Sequence, residues 1–470
     1  MYLRIDEHKQ ENYAVIEDNG NQYTYADMLE ACALFGNLIE KRNVIFILCR
    51  NSFAAIAGHV ACVENKIVPL MISEKMDDEL LSNLIKMYQP RYLWMPQEKD
   101  IPYETVIEKY GYKLVETGYE TYPVHEELAL LLTTSGSTGS PKLVRHKYSN
   151  LFCNARNVAS VFQFTDEDNA LIDLQLHYTM GLNVACSNLY AGATLLMTTY
   201  NILEKGYWDF FEKSKVTNIC GVPYSYGMLK RMKFFKKEHP DLRIIAEGGG
   251  RLTDELFKEI AGYADKYGKK FFATFGTSET TARLAFLSPN KAHEKTGSIG
   301  QAIPEGRLFL IDDHGKEIEE AEGTGELAYE GPNVTLGYAL CKEDLLKGDE
   351  RNGIYHTGDI AYRDEEGFYY ILGRKSRFLK LFGHRVGLDE AEQLIRSKYQ
   401  IECACAGNDN RMKIYITIPE YVDDIKHFIA EKTNIQISAF EVKVLESIPK
   451  NEVGKIMYSK LEEKVERNFC

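Results

Sequence analysis

The chain has 470 residues, 44% hydrophobic and 27% charged, enough to bury more than one core, so at least two domains are expected. Its 56 basic side chains face 69 acidic ones, a net charge of −13, which argues against general nucleic-acid binding. No apolar run approaches the ~18 residues of a membrane span, and the N-terminal MYLRIDEHKQENY carries charges where a secretory signal would be apolar, so a cytoplasmic protein is expected.

In chain order, Tyr25 to Leu38 has helical spacing, Val44 to Leu48 reads as a short buried strand and Phe53 to Glu64 as another helix. This βα rhythm recurs through Thr199 and defines an α/β fold without internal repeats or long low-complexity linkers. The stretch Leu130 to Arg145, LLLTTSGSTGSPKLVR, is the most informative segment. An apolar strand empties into hydroxyls, glycines and one lysine, the composition of a phosphate-handling loop. Backbone N–H groups at Gly136 and Gly139, hydroxyls of Thr134, Ser135, Ser137 and Thr138, and the charge of Lys142 can surround a polyphosphate. A Walker loop is excluded, because Pro141 precedes Lys142 and no hydroxyl follows it.

Further on come Leu176-His177-Tyr178-Thr179-Met180-Gly181, then lysine-rich stretches around Lys230 and Lys236, which read as solvated helix faces or as part of an anion-attracting mouth. Gly248-Gly249-Gly250, Ala273-Thr274-Phe275-Gly276-Thr277-Ser278-Glu279 and Tyr355-His356-Thr357-Gly358-Asp359 follow. After Gly373-Arg374 the pattern restarts as a smaller unit. Leu388 to Tyr399 and Val422 to Lys432 have helical spacing, and Met412 to Ile418 alternates like a half-buried strand. The expected division is 1–374 and 375–470. Ten cysteines occur without C-x-x-C spacing and read as reduced thiols, with no zinc site.

Together these segments resemble the signatures of the adenylate-forming superfamily of acyl-CoA synthetases, aryl ligases, peptide-synthetase adenylation domains and luciferases. Leu130 to Arg145 is similar to T-S-G-[ST]-T-G-x-P-K-G, with Leu143 in place of the last glycine. Residues 273–279 are similar to N-x-Y-G-x-T-E, with Phe275 for the tyrosine and Ser278 for the threonine. Tyr355 to Asp359 matches Y-x-T-G-D, Gly373-Arg374 opens the G-R-x-x segment, and Pro449 to Lys455 matches P-x-x-x-x-G-K. Five motifs in family order are hard to obtain by chance.

The resemblance implies a large N-terminal adenylating domain and a small mobile C-terminal one that pivots near Arg374 to Ser376, where Ser376 replaces the usual Asp or Lys. It implies ATP, Mg²⁺ and CoA or a phosphopantetheine thiol as co-reactants, and a small carboxylic acid as substrate. It implies nucleotide contacts from the 134–142 loop, from Gly248, Gly249 and Gly250, and from Thr274, Phe275 and Gly276. Asp359 and Arg374 would serve the ribose end. Gly383 is either a glycine beside the pantetheine arm or a hairpin turn. Lys455, Ser278, Glu279 and His177 are the catalytic candidates, Glu279 being also the metal ligand. Thr179 stands where amino-acid-activating domains carry an aspartate, which favours an acyl or aryl acid over an amino acid. Three alternatives stay open: an amino-acid-activating enzyme serving a carrier protein, transfer to a carrier rather than to free CoA, and a nucleotide-binding regulator without catalysis. Either a monomer or a homodimer fits.

Overall fold

In the computed structural model, residues 1–133, 142–375, 377–381, 384–408, 410–433, 435–451 and 454–461 are described. Two large sheets organise the N-terminal part. Among the described residues one has eight strands and the other nine. The centre of the first is parallel: Val44–Cys49 lies between Val68–Ser73 and Tyr92–Pro96. All six residues of Val44–Cys49 are buried, as expected of a strand covered on both faces, where apolar side chains run continuously. The second sheet runs parallel through Asn169–Ile172, Asn218–Gly221, Ile244–Glu247 and Lys270–Phe275.

Helices fill the space between the sheets. Tyr25–Leu38 starts at Thr24, whose hydroxyl accepts from the Asp27 N–H while the Asp27 carboxylate accepts from the Thr24 N–H, a reciprocal cap that sets the first turn. Phe53–Glu64 is buried from Phe53 through Val63. A helix apolar on every side belongs between two layers, and this one shares a core with Ile47 and Leu130 of one sheet and Ile172, Leu195 and Phe272 of the other. The expected helix bounds at 25–38 and 53–64 coincide with the observed ones.

An antiparallel pair interrupts the βα rhythm. Glu104–Lys109 and Tyr112–Glu116 pair antiparallel across Tyr110 and Gly111, both at positive φ (56° and 73°). Two consecutive left-handed residues match the right-handed strand twist and fold the chain back on itself.

A four-stranded antiparallel sheet follows: Arg307–Ile311, Gly323–Glu330, Ile354–Arg363 and Tyr369–Arg374. Its register places Asp359 opposite Arg374 on adjacent strands. The smaller C-terminal part has its own core around Ile395, Cys405, Ile414 and Ile429. There the hairpin Phe378–Leu381/His384–Gly387 and the helix Leu388–Tyr399 precede a three-stranded sheet covered by Val422–Thr433. Cys403 and Cys405, two apart on one strand, both face that core. No helix among the described residues is long and apolar enough to cross a membrane.

Candidate active site

The strands of the nine-stranded sheet end in the glycine-rich segments, so the site lies beyond their carboxyl edge, the usual place for ligands in open α/β sheets. Ile244–Glu247 delivers Gly248, Gly249 and Gly250. A side chain at Gly248 would meet the Thr274 hydroxyl at 2.7 Å and Met180 at 3.1 Å, and Gly249 has φ +79°. These glycines therefore serve close packing as well as access. Thr274 is buried and donates its hydroxyl to the Glu247 carbonyl at 2.6 Å. Phe275, half-buried, ends Lys270–Phe275.

The turn that follows is unusually constrained. Thr281 and Ala282 both have positive φ, 51° and 80°, and they hold the Ala282 carbonyl against Gly276, where an added Cβ would lie 1.4 Å from that oxygen. Such strain in non-glycine residues persists where surrounding structure enforces it. The turn presents Ser278, whose hydroxyl lies 2.7 Å from that of Thr179, and Glu279, whose Oε1 accepts the Tyr338 hydroxyl at 2.6 Å. The Glu279 carbonyl accepts from the N–H and hydroxyl of Thr335 at 3.0 and 2.9 Å.

Lys142, the described residue of the serine-rich loop, places its ammonium 3.8 Å from the centre of the Tyr338 ring, and the Arg351 guanidinium lies 4.6 Å from the same ring, both favourable cation–π distances. Thr134, Ser135, Gly136, Ser137 and Thr138 fall outside the described residues, as do Gly383 and Ser376. The strands that flank the loop are neighbours, Thr133 pairing with Leu143. Leu143 is fully buried in the core that includes Leu131 and Leu336, which explains why this chain has an apolar residue where the family motif has glycine.

Tyr338, Arg351 and Thr335 escaped the sequence reading. Tyr338 follows Gly337 (φ +138°) in an unremarkable G-Y-A string, and Arg351 lies in a D-E-R-N-G stretch that reads as a solvated turn. Contacts more than fifty residues apart bring them to Glu279.

Asp359 is 3% exposed. Its Oδ1 receives the Arg374 Nε at 2.9 Å, and its Oδ2 has no hydrogen-bond partner. Burial, only partly offset by Arg374, pushes the carboxyl up to about 6. An orphaned buried acceptor next to a satisfied one is what a ligand bearing hydroxyl donors would complete.

Lys455 joins this group from the C-terminal part. Its N–H donates to the Asn451 side chain at 2.8 Å, and Gly454 (φ +76°) abuts Tyr224, whose Cβ lies 2.9 Å from where a Gly454 Cβ would be. Much of the Lys455 side chain is exposed, yet its pKa is lowered, first by desolvation and then by Arg374, against the opposing pull of Asp359 and Glu279.

Three residues on, Tyr458 donates to Glu392 at 3.1 Å and lies under the Arg377 guanidinium at 3.7 Å. Glu392, 3% exposed, is held by Arg377, Arg396 and the Cys405 N–H at 2.8 to 2.9 Å. The lysine-bearing segment is thereby tied to the small part's core.

His177 is buried, tilted against Tyr178 at 4.2 Å between ring centres, and its Nδ1 has no partner. Burial lowers its pKa to about 4, so at neutral pH it is a neutral imidazole. Among the described residues no group of three or more His, Cys, Asp or Glu forms a metal cage. One carboxylate, with phosphates and water completing the shell, is the ordinary supply for Mg²⁺, so Glu279 fits an ion carried in by a nucleotide.

Residues 4–339 match the profile of the AMP-binding enzyme family. The chain belongs to that family. It is 29% identical over 369 residues to the 2-succinylbenzoate–CoA ligase of Listeria monocytogenes, covering 75% of this chain and 74% of the relative. It is also 27% identical to the oxalate–CoA ligase of Arabidopsis thaliana, covering 73% of this chain and 68% of that one. Among solved structures, the o-succinylbenzoate CoA synthetase of Bacillus subtilis in complex with its acyl-adenylate superposes with a TM-score of 0.80 over 98% of this chain and 97% of that one, at 22% identity. The fold is that of an adenylating enzyme.

Two outcomes follow from this geometry. Gly276→Ala drives a methyl into the Ala282 carbonyl and is expected to cost about 3 kcal/mol, read as a lowered urea midpoint together with a displaced Glu279. Asp359 must be ionised to accept two hydroxyl donors, so ATP affinity is expected to weaken as pH falls through about 6, by up to about tenfold per pH unit. Calorimetric titration with ATP from about pH 5 to 8 checks this. Asp359→Asn should bind weakly with no break at that pH, and a break that survives in it would assign the titration to another group.

Proposed function

We propose that this chain is an AMP-forming acid–thiol ligase that activates a small or medium acyl or aryl acid and passes it to CoA, with Lys455 as the cation of the first step. The convergence of Glu279, Asp359, Arg374 and Lys455 supports this reading, since the first three, from separated segments, are all close enough to act on the charge of Lys455. The Asp359 carboxylate holds the ribose hydroxyls through Oδ1 and the otherwise unpartnered Oδ2. Lys142 attends the leaving phosphates, Ser278 donates to a phosphate oxygen, and Phe275 with Gly248 to Gly250 borders the adenine. Mg²⁺, bound through Glu279, would supply charge neutralisation on the phosphates.

The acid and the α-phosphate are both anionic and repel one another. Lys455, reaching between them, cancels that repulsion where charge develops. A carboxylate oxygen bonds to the α-phosphorus as the bond to the β-phosphate breaks, which releases pyrophosphate and leaves acyl-AMP. A thiol then attacks the acyl carbon. The new C–S bond replaces the anhydride C–O bond, AMP departs with the bonding electrons and the thiol proton is lost. Acyl-AMP hydrolyses in water, so the second step needs a closed site.

The fit of Gly454 against Tyr224 supports the adenylate-forming arrangement, and thioester formation calls for a different one, reached by turning 375–470 against 1–374 near Ser376. The relatives' acids, 2-succinylbenzoate and oxalate, and their CoA acceptor support a small acid and free CoA here. Thr179, engaged with Ser278, offers no carboxylate for a substrate ammonium. A cytoplasmic setting suits these co-reactants.

Acid-dependent exchange of labelled pyrophosphate into ATP tests the reading, and its absence across a broad acid panel refutes it. Lys455→Ala should slow adenylate formation by ~10²-fold or more while ATP binding persists. Thioester assays with CoA and with purified carrier proteins, run side by side, should give product with CoA, and product on a carrier alone would reassign the acceptor.

A further inference from the structure

Arg283 is 4% exposed, yet no carboxylate among the described residues pairs with it. Its Nη1 donates to the Asn183 side-chain oxygen at 2.5 Å and its Nη2 to the Cys220 sulfur at 3.1 Å, its carbon lies 4.9 Å from the Phe162 ring centre, and its Nε has no partner. Cys220 is no counter-ion, because burial pushes its thiol up to about 11 and it stays protonated at neutral pH.

The other fully buried arginine among the described residues, and a half-buried one of the small part, are paired with carboxylates. Arg145 has Glu350 at 2.5 Å, and Arg377 has Glu392 at 2.8 Å. A cation withdrawn from water without an anion is costly. The imbalance is resolved if the anion arrives with a ligand.

The position of Arg283 identifies which ligand. It follows the strained Thr281-Ala282 turn, four residues beyond Glu279. Asn183 lies one helical turn beyond Thr179 on Thr179–Tyr190, and Thr179 contacts Ser278. Cys220 precedes Gly221 and Val222, and Val222 packs toward Gly249. The helix, the strand end and the turn that present Ser278 and Gly249 to the reaction centre thus converge one layer deeper on Arg283. Asn183 is itself fixed by donating to the Asn154 side-chain oxygen at 2.7 Å, which aims its own oxygen at the guanidinium.

We propose that Arg283, oriented by Asn183, selects acids that carry a second anionic group at the end remote from the reacting carboxylate, a second carboxylate in the simplest case. This rests on the ligase reading above and names the substrate class of the same site.

The test compares carbon-matched acids: glutaric against pentanoic, adipic against hexanoic, and phthalic against 2-methylbenzoic. Pyrophosphate exchange gives kcat/KM, and calorimetry in the presence of a non-hydrolysable ATP analogue gives binding. The native enzyme should prefer at least one diacid over its monoacid by ~10²-fold or more, because a site built to pair a polar group rejects the analogue that lacks it. Arg283→Met should reverse that ranking, and Arg283→Lys should restore part of it.

Equal handling of diacids and monoacids by the native enzyme overturns the proposal, as does an unchanged ranking in Arg283→Met, which would make the arginine structural. If Arg283→Met does not fold, the native ranking and Arg283→Lys still decide. Diacid binding without exchange by any acid would leave Arg283 standing and remove the ligase reading. Exchange with monoacids alone would do the reverse, and failure of every diacid to bind also overturns the proposal.

Discussion

A carboxylate taken out of water needs a cation beside it or it takes up a proton, and the arrangement of this site is organised around that constraint at Asp359. The side chain is nearly inaccessible and depends on Arg374 across the sheet. That partnership is written into strand register, since Asp359 and Arg374 are directly opposed in the Ile354–Arg363 and Tyr369–Arg374 pair. A slip of one residue would turn Asp359 to the other face and dissolve the pair. Arg374 N–H also donates to Asp389 at 2.8 Å, so the residue that pairs with Asp359 also contacts the first helix of the small part.

Lys455 obeys the same rule from the other side. Desolvation and Arg374 press on its charge, and Asp359 and Glu279 support it. The balance exists only while the two parts of the chain are held as they are here. Tyr458 and the buried Glu392 cluster bind the lysine segment to the small part, and the missing side chain of Gly454 permits its approach to Tyr224. On the proposed reading, moving the small part would withdraw this cation from the centre without unfolding anything, so that one lysine could serve one step and be absent from the next.

Much of this was legible in the sequence. Helices at 25–38, 53–64 and 388–399 followed from apolar spacing and matched to the residue. Asp359, Glu279 and Lys455 stood in short motifs because a backbone turn and a reactive group must there be close in sequence. What escaped is what the tertiary fold brings together from afar. Tyr338 and Arg351 reach Glu279 across 59 and 72 residues, and no local pattern announces such a meeting. Arg283 was invisible for a different reason: an arginine in T-A-R-L-A looks like any surface residue until two left-handed residues turn it inward. The 104–116 hairpin was masked in the same way, by a Tyr110-Gly111 turn lacking the Asn-Gly or Asp-Gly signal.

Eight of the nine described cysteines are buried, and burial raises the thiol pKa of each of those eight. An activated acyl group is an electrophile that the thiolate form of any neighbouring cysteine would capture. Cys220 accepts a hydrogen bond from Arg283, the residue proposed to meet the acid. On the proposed reading, a thiol kept protonated there does not compete with the incoming one for the activated acyl group.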